Sequence, residues 1–151
     1  MNLILDINTF DKNNIFFNNP IKNTVLNNSD SEFIKIIYSN KDLIINGIYL
    51  KINLSYNNVI ENGNKFIYTF NYEKNKQFIS KINNIENEIL LKYSKNTNNV
   101  LMLKDLFAKG AIRIYSDNKN KNKTIFLKIS GIWKSNNEVG LTYKIYDINH
   151  Q

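Results

Sequence analysis

Apolar positions along this chain keep a period of two over several short runs and change to a helical period once. FIKIIYS, Phe33 to Ser39, is compact and rich in Ile and aromatics, as strands are. LIINGIYLKINLSY, Leu43 to Tyr56, reads as a longer strand, with Ile44, Ile48, Leu50, Ile52 and Leu54 on one face. Gly47 interrupts it, as at a bulge or a barrel corner. ENGN, Glu61 to Asn64, signals a turn. In the following KFIYTFNY, Phe66, Tyr68, Phe70 and Tyr72 occupy one side, and large rings in such a row belong mainly to packing rather than to a stacking platform.

The period then lengthens. Phe78, Ile82, Ile85, Ile89 and Tyr93, widened by Ile79 and Leu90, form the apolar stripe of an amphipathic helix over Lys74 to Lys95. Asn71 or Asn75 is placed to cap its start, and Lys92 and Lys95 suit its negative end. The stripe is expected to plug a barrel or cover a sheet. VLMLKDLFAKG reads as a short second helix closed by Gly110. Strand patterns return in AIRIYS, TIFLKISGIW and VGLTYKIYDI, with KSNNE joining the last two as a hairpin. The first 28 residues hold two short apolar runs, LILDI and IFF, expected as edge strands or an irregular arm.

No linker or internal repeat divides the 151 residues, so one domain is expected. The fold class is mainly antiparallel β with one long amphipathic helix after the third main strand. That order matches an OB-like Greek-key barrel, whose strand faces and loops bind oligonucleotides or oligosaccharides. Another α+β sheet with a packed helix is the alternative. No apolar stretch reaches membrane-spanning length, and MNLILDINTF lacks a basic segment ahead of its apolar residues, so neither a membrane span nor a signal peptide is expected.

Four strand segments carry a ring and a cation two positions apart: Tyr49 with Lys51, Arg113 with Tyr115, Phe126 with Lys128, and Lys144 with Tyr146. Each pair points to one face, while Leu50, Ile114, Leu127 and Ile145 between them point to the other. Rings and cations displayed together suit single-stranded nucleic acid, where rings stack on bases and cations follow phosphates. The same mixture also serves as an ordinary solvated face. The loop SDNKNKNKT adds Lys119, Lys121 and Lys123, where the OB-like order would put a binding loop. Trp133, beside the hairpin, either stacks on a base or staples the turn.

The net charge of +7 adds less than its size implies. Asn occurs 30 times, Ile 24 times and Lys 19 times against one Arg, and these three share A/T-rich codons. The positions of the cations therefore carry the argument. With no Cys, disulfides, thiolate zinc sites and cysteine nucleophiles are excluded. The one histidine, His150, is penultimate; Glu86 and Glu88 diverge on the helix; Asp30 and Glu32 have nothing beside them to complete a site. GxxxxGK[ST], GxGxxG and GxSxG are missing. The expectation is a non-enzymatic protein with no metal or cofactor. Three N-x-[ST] sequons are expected by chance at this Asn content.

Two stretches, NPIKNTVLNN with FIKIIYSNKDLIINGIYL and FLKISGIWKSNNEVGLTYKI, resemble small proteins of nucleocytoplasmic large DNA viruses. Viruses of that group carry OB-fold single-stranded-DNA-binding proteins, to which this chain is similar in size, charge and strand–helix order. The resemblance implies a place in the cytoplasm or nucleus of an infected cell, or in a virion, rather than secretion. Proteins of that type often end in an acidic tail, whereas this chain ends YDINHQ, which puts tail-mediated recruitment in doubt. The leading expectation is binding of single-stranded DNA or RNA with little sequence preference. The alternative is a structural or scaffolding module that forms homo-oligomers or docks a viral protein.

Overall fold

The computed structural model describes residues 4–22, 31–116 and 123–149. Eleven strands and two α-helices follow one another among them. β1 (Ile15–Phe17), β2 (Ile21–Lys22), β3 (Ser31–Ser39), β4 (Ile44–Asn46) and β5 (Ile48–Lys51) come first, then the hairpin β6 (Tyr56–Asn62) and β7 (Lys65–Phe70). A 3-10 turn at Glu73–Asn75 runs into α1 (Lys76–Tyr93). β8 (Asn98–Val100), α2 (Met102–Ala108) and β9 (Ala111–Tyr115) lead to the long hairpin β10 (Lys123–Ser135) and β11 (Glu138–Asn149).

One eight-stranded sheet runs β1-β3-β10-β11-β8, with β2 and β4 also on β3 and β5 on β10; it curls into a half-barrel. A three-stranded sheet, β6-β7-β9, completes the β structure. Of the described pairings between named strands, only that of β11 with β8 is parallel. The mainly antiparallel class with one long helix is therefore as expected. Both sheets and both helices feed a single core: Ile34, Leu50 and Leu127 from the large sheet, Phe66 and Ile112 from the small one, Ile82 and Phe107 from the helices.

The predicted long strand from Leu43 to Tyr56 is broken. Gly47 adopts φ +85°, and a Cβ there would meet the Ile129 carbonyl at 2.9 Å, so only glycine passes between β4 and β5. The kink changes parity. Ile45 turns inward beside Ile48, Leu50 and Ile52, and Ile44 is left 75% exposed, against the expectation that it shares their face. A second irregularity lies in β10, whose register against β11 slips between Ile129 and Gly131. The extra residue, Ser130, donates its hydroxyl to the Thr142 carbonyl at 3.2 Å.

Helix α1 follows the predicted stripe. Ile79, Ile82, Ile85, Ile89 and Leu90 are buried, and Phe78 and Tyr93 pack against them from the margin. Asn71 caps the 3-10 turn by accepting from the Lys74 N–H at 3.1 Å. Asn75 makes no helix-cap bond. It is buried and ties α1 to the β5–β6 connection, accepting from Ser55 N–H at 2.7 Å and donating to the Ser55 and Asn71 carbonyls. The second helix starts at Met102, later than predicted, because Val100 belongs to β8. Of the two N-terminal runs, IFF forms β1 against β3, while LILDI contributes an isolated bridge from Leu5 to Leu50. Phe66, Tyr68 and Phe70 lie in the core as expected, and Tyr72 escapes it.

Candidate functional site

Three of the four ring-and-cation pairs lie side by side. Strands β5, β10 and β11 are hydrogen-bonded neighbours, with Tyr49 opposite Lys128 and Lys128 opposite Lys144. The next row reads Lys51, Phe126, Tyr146. On the other face Leu50 and Leu127 are fully buried beside Ile145. The outer face is thus a lattice in which rings and cations alternate along each strand, with cation against cation and ring against ring between β10 and β11. Lys128 Nζ stands 5.4 Å from the centre of the Tyr49 ring, within cation–π range. The Phe126 and Tyr146 rings stack with centroids 5.7 Å apart and a tilt of 32°.

The fourth pair comes from the smaller sheet. Arg113 and Tyr115, on β9, face β11 across a groove of about 580 Å³. Tyr49, Lys128, Lys144 and Tyr146 line its opposite side, along with Ile145 and Asp147. Among the described residues, β9 pairs only with β7, and β11 beyond Gly140 pairs only with β10. The groove therefore runs between two open strand edges.

Burial sorts the rings by what they can touch. Tyr115 is 69% exposed and Tyr146 partly so, whereas Tyr49 and Phe126 are only 7% and 6% exposed. The last two were expected to stack on bases, but neighbours already cover them. Tyr49 lines the groove with Lys128 above its ring, and Phe126 packs against Tyr146. Burial, with Tyr49 nearby, raises the Tyr146 hydroxyl above its usual range.

Lys51, Arg113 and Lys144 are exposed and Lys128 is half-covered. Lys123 opens β10, with its side chain outside the described residues, as are Lys119 and Lys121 entirely. Trp133 stands apart from the lattice, opposite Gly140 and near α2, where its Nε1–H donates to Met102 Sδ at 3.0 Å.

Sequence reasoning set Glu86 aside, yet it is fully buried on α1. Its carboxylate accepts from the backbone N–H groups of Leu103 at 2.8 Å and Lys104 at 3.1 Å, capping α2 from another element. Four residues from Ile82 and Leu90, it sits inside the apolar stripe, and that placement was the available signal. Among the described residues no cluster of His, Cys, Asp or Glu could hold a metal, and no helix is long and apolar enough to cross a membrane. The chain matches no protein-family model, no curated protein and no solved structure.

Proposed function

We propose that the groove between β9 and β11 binds single-stranded nucleic acid without catalysing a reaction on it. The observation that carries this reading is the convergence of Arg113, Lys128 and Lys144 with Tyr115 and Tyr146 on one open groove. Lys128 and Lys144 are directly opposed across two strands. Like charges so placed destabilise a sheet, and a bound polyanion relieves them. Tyr115 supplies an uncovered ring for a base, and Arg113 a planar donor fork for phosphate. The mainly antiparallel, curled sheet with one long helix accords with an OB-like module.

Contacts from three or four cations give a logarithmic salt slope of about −2 to −3, at roughly −0.7 per phosphate on a single strand. Fluorescence anisotropy with labelled oligo-dT tests the proposal. Binding at low salt that weakens along that slope supports it. No binding, or affinity indifferent to salt, refutes it.

A scaffolding role is the second reading, favoured by a different face. Phe16, Ile21 and Ile44, on the strands flanking β3, are all more than half exposed. It predicts oligomers in light scattering without oligonucleotide.

A further inference from the structure

The groove does not stop at Arg113 and Lys144. Both residues, with Ile145, also border a wider well of about 720 Å³ lying against α2. Its apolar lining comes from Met102 and Leu106 of α2, Ile112 of β9 and Leu141 of β11. One wall is Trp133, the only tryptophan in the chain. That indole is held on two sides. Met102 Sδ accepts from its Nε1–H, and its ring lies so close over Gly140 that a Cβ there would come within 2.5 Å. The charged groups at the rim are of one kind. Among the described residues that line it, Lys109, Arg113 and Lys144 offer donors alone, Thr142 and Tyr143 add hydroxyls, and none is a carboxylate or a side-chain amide.

A fixed aromatic wall, an apolar floor and a donor-rich rim, in a volume usual for small-molecule sites, suit a nucleobase. We infer that the well takes one base turned out of a strand lying in the groove, and that it favours bases rich in carbonyl acceptors. This rests on the nucleic-acid reading of the groove. Arg113 and Lys144, shared by both spaces, hold the phosphates flanking the captured base. Thymine and cytosine are close in size and differ on one ring edge, where thymine presents a C4 carbonyl beside an N3–H and cytosine a C4 amino group beside a bare N3. Against the ammonium and guanidinium donors the C4 amino group of cytosine would leave donors unpaired on desolvation where the thymine C4 carbonyl accepts, and the Thr142 and Tyr143 hydroxyls can accept the thymine N3–H.

The test compares labelled oligo-dT and oligo-dC of equal length at the same salt, reading label anisotropy and Trp133 emission together. The expected result is that dT binds about fivefold tighter than dC, the worth of roughly one hydrogen bond, and quenches Trp133. Ala111→Leu, which narrows the well from β9, should abolish the quenching and the preference while charge-driven binding persists. Should that variant not fold, Lys109→Met, at an exposed position, should by itself reduce the preference for dT. Equal affinities, or binding of dT that leaves Trp133 emission unmoved, overturn base capture and leave the groove reading intact. No anisotropy change with either oligomer overturns both.

Discussion

The carboxylate of Glu86 receives the backbone N–H of Leu103 at 2.8 Å, and both residues are fully buried. Helix α2 has no side-chain cap of its own, so α1 supplies one. Replacing Glu86 by Ala strands the Leu103 and Lys104 N–H groups, and stability should fall by about 2–4 kcal/mol. Gln keeps an acceptor oxygen and should cost less than half as much. Urea unfolding of the two variants checks the order, and equal losses would contradict it.

The same residue gives a pH dependence. Burial raises the Glu86 carboxyl above its ordinary value of 4.5, against the lowering effect of the Leu103 and Lys104 hydrogen bonds. The folded chain then holds this proton more tightly than the unfolded chain. Its contribution is complete below about 4.5 and is lost as pH rises through the higher folded value. The difference in stability between the native chain and Glu86→Gln should change in that window, measured by chemical unfolding at a series of pH values. A difference flat with pH would show that burial does not control the group.

Lys128 and Lys144 set stability against binding. Replacing Lys144 by Thr, a residue suited to strands, removes the like-charge opposition and should stabilise the sheet by about 0.2–1 kcal/mol. It should also weaken oligo-dT binding and flatten the salt slope by about 0.7. Lys92, on α1 with its ammonium 2.6 Å from the Lys12 carbonyl, is the control. Its replacement by Ala should leave binding unchanged.

The rings divide into two kinds by experiment. Tyr115→Ala should cost about 1–3 kcal/mol of binding with little loss of stability. Phe126→Ala should instead cost about 3–5 kcal/mol of stability, because that ring is already covered. Thermal unfolding beside anisotropy separates them, and a large binding loss from a stably folded Phe126→Ala would contradict the assignment.

How far these features were legible depends on the range of the interactions. The stripe from Phe78 to Tyr93 fixes α1 through local periodicity, and the ring-and-cation spacing in β5, β10 and β11 fixes which side chains share a face. That these faces adjoin depends on strand order, which periodicity does not encode. Ile44 was misplaced because parity counting assumes an unbroken strand, and Gly47 breaks it. Strand β6, YNNVIEN, is exposed on nearly every residue and so has no apolar alternation to detect. Glu86 escaped notice because its partners lie on another helix, 17 and 18 residues away.

The slip at Ser130 has a consequence for how much one ribbon can do. Before it, the odd-numbered Ile125, Leu127 and Ile129 are sequestered; after it, the even-numbered Ile132 is. Were the serine instead paired like its neighbours in an unbroken ladder, strict alternation would swing the indole toward the interior and push an isoleucine out into water. One unpaired amino acid thus keeps the well lined and a greasy spot off the surface.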